Sequence, residues 1–305
     1  MLRFNEQTRE STVVSEFPAP ARSWAALSRV PRPSEWVIIL YFTYTALLSV
    51  SFGLSPTRRA VGFAVPILLW LLAYAHTQHP RPWSGVLRDW LPALLVLLAY
   101  WQVDWFRSPA HVYDYELAWL RLDQTVLNSW RLKALIETAG PIGPAFMEFC
   151  YALLYTIPAL CLGLLYLFGR RARIDQFLFV FLLGTFAAYS LLPHFPSDSP
   201  RLEFPGMDLP AYMTSLRRLN IWLLSHGDIQ TSVFPSGHVA TAFSSAFGMM
   251  WVLPERPWVG RSLLLLAALI AAATVYGRYH YMADALASLL LSAAAISFSR
   301  VVRSA

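Results

Sequence analysis

Apolar residues in this chain come in long unbroken runs, not in the alternating or one-faced patterns of a soluble domain. The first runs from Trp36 to Leu54, about the length a bilayer core asks of a helix. The others are Val61 to His76, Trp90 to Phe106, Phe146 to Phe168, Phe177 to Pro193, His238 to Leu253, Leu263 to Tyr276 and Met282 to Phe298. They predict about eight spans, three of them short and two open to merging or re-entry. Pro66, Pro92 and Pro158 fall inside runs, where a membrane bundle tolerates them because neighbouring helices re-satisfy the freed backbone groups.

Composition agrees with the pattern. Hydrophobic residues make up 56% of the 305 and charged residues 14%, against about 25% charged in a soluble domain. The mean hydropathy is +0.45. The expected fold class is an all-α polytopic membrane helical bundle, and a soluble all-helical protein with a very apolar core is disfavoured. Residues 1–34 hold five arginines and four prolines and no apolar core. They are expected to form a mobile or surface-lying tail and not a cleavable signal peptide. Cys150 and Cys161 fall in one run and are expected to be packing residues.

The formal net charge of +6 bears first on topology. With eight spans, one side collects the tail, Arg81, Arg88, Arg170, Arg171, Arg173, Arg256, Arg261, Arg300 and Arg303. The positive-inside rule makes that side cytoplasmic. The other side holds two long loops, about 107–145 and 194–235, and the turn at 277–281. Because the arginines are spread over span ends, no nucleic-acid partner is expected. Neither an internal repeat nor a low-complexity tract is visible.

Three polar segments converge on that second side. They are Pro193-His194-Phe195-Pro196-Ser197-Asp198-Ser199-Pro200-Arg201, Phe234-Pro235-Ser236-Gly237-His238, and Gly277-Arg278-Tyr279-His280-Tyr281-Met282-Ala283-Asp284. A Pro-Ser-Gly turn entering an apolar helix leaves N–H groups at the positive end of the helix dipole, an anion site. Ser236 adds a hydroxyl, Gly237 allows close backbone approach, and His238 stands where it can give up a proton. The plainer reading of Ser236 is an ordinary helix cap. His280 and Asp284, four apart, share a helix face. A carboxylate on one ring nitrogen fixes the tautomer and raises the basicity of the other. Arg201 and Arg278 suit phosphate oxygens, or are simply interfacial arginines. Glu148 and Asp104 on the same side can contact a head group or tilt to the interface. His194 and Asp198 are candidate secondary contacts, and Tyr151, Tyr155 and Tyr189 fit packing or an interfacial belt.

Taken together, these segments resemble the type 2 phosphatidic acid phosphatase superfamily. They are most similar to its branch of inositol phosphorylceramide and sphingomyelin synthases, which ends in His-Tyr-x-x-Asp, here His280-Tyr281-Met282-Ala283-Asp284. Pro193, Pro200 and Arg201 resemble the first motif of that branch. The resemblance covers about residues 145–300 and implies a six-helix phosphatase core with extra N-terminal spans in residues 35–144. By that resemblance His280 is the nucleophile that forms a phosphohistidine, Asp284 orients it, and His238 is the acid and base. Arg201, Ser236 and Gly237 would hold phosphoryl oxygens, with Arg278 as a further phosphate contact. Neither metal nor cofactor is implied. The wider superfamily has a serine and arginine where this chain has Ala273 and Thr274, and no counterpart of its first-motif lysine is found.

The expectation is a multi-pass enzyme of the cell membrane, its site on the extracytoplasmic face. It would transfer a phosphoryl or phospho-head group from a bilayer lipid to water, a lipid alcohol or a sugar alcohol. A plain lipid phosphate or polyprenyl pyrophosphate phosphatase is the near alternative. A transporter is the distant one, disfavoured because the charges gather at one face.

Overall fold

The computed structural model describes residues 31–107 and 114–304. Among them are the helices α1 (Pro33–Ser51), α2 (Pro56–Gln78), α3 (Pro82–Val103), α4 (Asp114–Gln124), α5 (Leu132–Glu137), α6 (Ile142–Leu153) and α7 (Ile157–Leu167). They continue with α8 (Ile174–Leu191), α9 (Pro200–Glu203), α10 (Ser215–Gly227), α11 (Gly237–Val252), α12 (Pro257–Tyr276) and α13 (Met282–Ser304). No strand occurs among the described residues. The expected tail lies outside them up to residue 30, and Pro33 already opens α1.

The sequence punctuates these helices in recognisable ways. Pro33, Pro56, Pro82 and Pro257 stand at helix starts, where the missing N–H costs nothing. The Thr214 side chain caps α10 by accepting from Arg217 N. Pro66 and Pro92 sit inside continuous helices. Pro158 instead follows a 3-10 step, Leu154–Thr156, that divides one span into α6 and α7.

Among the described residues seven helices or helix pairs are long and apolar enough to cross a membrane: α1, α2, α3, α6 with α7, α8, α12 and α13. The eighth expected span, α11, has sixteen residues, about 24 Å of helix. It lies at the centre of the bundle against α8, α12 and α13, where protein and not lipid surrounds it. Large apolar side chains face outward on the rim, among them Leu40, Leu68, Leu94, Leu167, Leu265 and Leu290. The interior holds the small polar ones. Ser244 donates to Ser292 at 2.9 Å, and Ser288 donates to the Ser236 carbonyl at 2.8 Å. Small residues and short hydroxyl bonds allow the close helix approach that drives association in lipid. One continuous core runs from Val37 and Ile38 of α1 through α3, α8, α11 and α12 to Ala285 of α13. The N-terminal spans therefore pack directly onto the rest.

The two long loops contain helices among the described residues. The first contains α4, a π-helical turn at Thr125–Ser129 and α5; the second contains α9 and α10. α4 packs on α13 and α10 on α6, over the ends of the spans. Polar side chains interleave with apolar ones in both helices, as in Ser215–Gly227, which suits a helix covering a bundle end.

A β-carbon on Gly184 of α8 would stand 2.0 Å from Ser244 Oγ and 3.1 Å from its Cβ. Gly184→Ala is expected to lower stability by about 1–3 kcal/mol through overpacking. Thermal unfolding in detergent measures this, and an unchanged midpoint would reject the tight α8–α11 contact.

Candidate active site

The turn that carries His280 is built by backbone bonds. α12 ends at Tyr276, and Arg278 takes a left-handed conformation with φ 62°. The N–H groups of Tyr279 and His280 both return to the Thr274 carbonyl, at 2.9 and 3.2 Å. Asp284, in the first turn of α13, accepts from Tyr281 N at 2.9 Å. The same Oδ2 lies 3.1 Å from His280 Nδ1, and the Val233 carbonyl lies 3.0 Å from it. Both neighbours are acceptors, so Nδ1 carries the proton and Nε2 keeps its lone pair. Nε2 faces His238 Nδ1 at 3.3 Å. Burial pushes the His280 pKa down to about 4; Arg201 adds to this, while Asp228 and the Val233 carbonyl oppose it. The ring is therefore neutral near pH 7.

His238 is the second residue of α11. Ser236 is fully buried, and its hydroxyl accepts from Val239 N at 3.3 Å. It therefore caps the helix and does not face the cavity. The N–H groups of Gly237 and His238 stand in the first turn, where no intrahelical acceptor exists. A β-carbon on Gly237 would come within 2.4 Å of the Tyr189 ring, so glycine is needed there for packing on α8 as well. The rings of Tyr100, Tyr151 and Tyr155 surround His238, with centroids 6.1, 5.6 and 6.2 Å away.

Arg201, Asp228, His238 and His280 line one small polar cavity with Tyr100 and Tyr279. Arg201 N donates to the Arg278 carbonyl at 3.1 Å, which ties α9 to the histidine turn. The Arg201 guanidinium lies 5.9 Å from the Tyr279 ring centroid and 3.6 Å from Asp228 Oδ2. Tyr100 donates to Asp228 Oδ1 at 2.5 Å. Asp228 and Tyr100 were not expected from the sequence; both lie outside its three polar segments.

Arg278 sits elsewhere than expected. It is fully buried, pairs with Asp123 of α4 at 2.5 Å and does not line the cavity. The left-handed backbone turns its side chain toward α4. Asp123 also accepts from Met282 N at 2.8 Å. Burial raises the Asp123 carboxyl to about 6, with Arg278 opposing. Glu148 also departs from expectation, being neither at the interface nor free for a head group. It accepts from Arg217 at 2.8 Å, Asn220 at 2.7 Å and Tyr279 at 2.7 Å. Asp104 holds the segment after α10 by accepting from Gln230 N at 2.7 Å. His194 bonds Tyr44 at 2.6 Å, and Asp198 N donates to Glu116 at 2.8 Å.

A second, largely apolar cavity of about 490 Å³ lies between α3 and α7. Leu94, Leu97, Leu154 and Pro158 line it, and it ends at Gly237, His238 and Thr241. Tyr100, Gly237 and His238 belong to both cavities. His238 thus lines both an apolar and a polar cavity.

A family model described as PAP2 superfamily matches residues 118–298, more than half of the chain. The match begins inside α4, upstream of the expected residue 145. A PA-phosphatase related-family protein of Dictyostelium discoideum is 32% identical over 123 residues, or 38% of this chain. The chain spans 22% of that relative's length. No solved structure matches the chain.

Removing one partner of a buried ion pair strands the other, at a cost of about 3–5 kcal/mol. Arg278→Met should therefore destabilise the protein by that order. Adding Asp123→Asn, which keeps an acceptor for Met282 N, should restore most of the stability and leave turnover within about tenfold. A stable but inactive double variant would put Arg278 on the substrate after all. A second expectation concerns pH. A histidine that attacks phosphorus must be neutral, and Asp228 holds the His280 pKa up. Asp228→Asn should therefore move the acid limb of kcat/KM to lower pH, as read from a pH–rate profile.

Proposed function

Because the chain belongs to the PAP2 superfamily, we propose that it is a membrane enzyme acting on lipid phosphate, with His280 as nucleophile and His238 as proton carrier. The observation that carries this reading is the shared position of His238. A lipid phosphate has an apolar and an anionic end, and here an apolar cavity between spans meets a polar one at a histidine beside a helix N-terminus.

In the first step the Nε2 lone pair of His280 forms a P–N bond while the P–O bond to the leaving group breaks. His238, protonated, gives its proton to the departing oxygen. The ring of His280 becomes cationic, and Asp284 at Nδ1 stabilises it. In the second step His238 takes a proton from water or an alcohol, whose oxygen attacks phosphorus as the P–N bond breaks. Arg201 and the N–H groups of Gly237 and His238 hold the phosphoryl oxygens as charge spreads over them. Ser236 contributes by fixing the helix start, and Asp284 by fixing the nucleophile. The family match supports the phosphatase half of this scheme.

Transfer to an alcohol is favoured by the charge in the polar cavity. Among the described residues Arg201 is its single guanidinium and Asp228 stands beside it, while Arg278 is paired with Asp123. Such a balance suits the single negative charge of a phosphodiester better than the double charge of a phosphate monoester. The face is assigned by its short loops. Arg81, Arg170, Arg171, Arg173 and Arg256 flank loops at the opposite end, against Arg58, Arg59 and Arg278 at the catalytic end. The positive-inside rule then puts the site on the extracytoplasmic face of the cell membrane.

The test uses purified protein in mixed-lipid vesicles, following free phosphate and new phospholipid species by mass spectrometry. A head-group-exchanged lipid identifies a transferase; phosphate alone identifies a phosphatase. His280→Ala should abolish turnover while the protein stays folded in detergent, and an active variant would sink the nucleophile assignment. His238→Ala should cost about 10²–10⁴-fold; a loss below tenfold reduces it to a binding role.

A further inference from the structure

At the other end of the bundle, a third cavity of about 550 Å³ opens between α1, α2, α3 and α8. Arg32, His76, Arg81, Asp89, Arg171 and Asp175 line it. It is separate from the catalytic cavities. Asp89 and Tyr100 lie eleven positions apart on α3, about 16 Å along the axis. Asp175 and Tyr189 lie fourteen positions apart on α8, about 21 Å.

Its carboxylates are already engaged by the protein. Asp89 accepts from Arg32 Nη1 at 2.6 Å, Tyr166 at 2.7 Å and Arg171 Nε at 2.8 Å. Asp175 accepts from the N–H and hydroxyl of Ser34, at 3.2 and 2.5 Å. They act as anchors that aim two guanidiniums and leave further N–H donors over. Arg171 Nη2 comes so close to α3 that a β-carbon on Gly85 would stand 2.9 Å from it. Arg81 is exposed and pairs with no carboxylate among the described residues. Three arginines thus face two occupied carboxylates. Arg32 and Arg81 are also the residues just before α1 and α3, and α8 starts beside Arg171. Three positive helix ends open onto one cavity, which adds to its attraction for an anion.

We propose that this cavity is a second anion site, which binds a phosphate ester at the face opposite the catalytic one. Its volume accommodates a phosphate together with the group it esterifies. Its place at the ends of four helices, all of them long and apolar enough to span, is where the head groups of the other leaflet would lie. The same chemistry serves an anionic phospholipid or a soluble phosphate ester. α3 and α8 run from this cavity to Tyr100 and Tyr189 beside His238, so a bound anion would brace the helices that frame the catalytic end. The proposal does not depend on the reaction the catalytic site performs.

Binding to the full chain in neutral detergent, with dioleoylphosphatidylglycerol as one probe and glycerol 3-phosphate as the other, tests it. Dioleoylglycerol, which lacks the phosphate, is the blank. Arg81→Gln disturbs no ion pair of the fold and should weaken one probe about tenfold, the loss of one charge-assisted contact. Weakening confined to phosphatidylglycerol assigns the site to a lipid; weakening confined to glycerol 3-phosphate assigns it to a soluble ester. Arg58→Gln, at the catalytic end, should change neither. Arg171→Gln should add to the loss, with its thermal midpoint checking that the Asp89 cluster survives. Wild-type affinity of Arg81→Gln for both probes overturns the proposal.

Discussion

A carboxylate buried in a helix bundle has to be met by donors, and much of the catalytic end follows from that rule. Taking an ion out of water costs several kcal/mol even after the surroundings relax. Glu148, on α6, meets the cost with Arg217 and Asn220 from α10 and the Tyr279 hydroxyl from the histidine turn. Arg217 also reaches the Gly277 carbonyl at 3.2 Å. One side chain thereby fixes three elements relative to each other. Asp123 does the same between α4 and the start of α13, through Arg278 and Met282 N. The two carboxylates together hold residues 277–282. The covering helices are therefore structural parts of the site, although neither contributes a reacting group.

Rigidity imposed in this way has an electrostatic purpose. The proposed nucleophile must be neutral, with one particular nitrogen exposed. Burial achieves the first and the two acceptors at Nδ1 achieve the second. The groups that hold the turn keep their charges paired away from the cavity, and among the described residues Arg201 and Asp228 are the arginine and carboxylate that line it. A turn held by hydrogen bonds to solvent-facing loops would have left Nε2 free to wander, which a reaction sensitive to about 1 Å does not tolerate.

Local spacing made part of this legible in the sequence. The Pro-Ser-Gly-His turn and the four-residue step from His280 to Asp284 are short-range patterns, and the structure has both of them. What joins distant segments left no such trace. Glu148 and Arg217 are 69 residues apart, and Arg278 and Asp123 are 155 apart. Arg278 misled because its distance along the chain from His280 suggests a shared cavity, whereas one left-handed residue reverses its direction. Asp228 was hidden for another reason. It follows a helix in a segment without a motif, and its position matters only because Tyr100 of α3 holds it against Arg201. The covering helices were read as loops because their polar residues break the apolar runs by which spans are recognised.

The two histidines differ most in how they are held, and that difference decides which of them moves. At 3.3 Å, His280 Nε2 and His238 Nδ1 leave no room for phosphorus between them. A near-attack arrangement needs about 3–3.5 Å from nitrogen to phosphorus, and then a further hydrogen bond from the leaving oxygen to the acid. One ring has to withdraw. His280 is tied at Nδ1 by Val233 and Asp284, and its backbone N–H by Thr274. The His238 ring has a single hydrogen bond among the described residues, the one to His280, and is otherwise packed among tyrosine edges. Its room to move lies toward the apolar cavity that it also lines. In the proposed reaction, a lipid arriving along that cavity would bring its phosphate to the ring that can yield. It would replace the bond to His280 with one to its own leaving oxygen and leave the proposed nucleophile where the turn has fixed it.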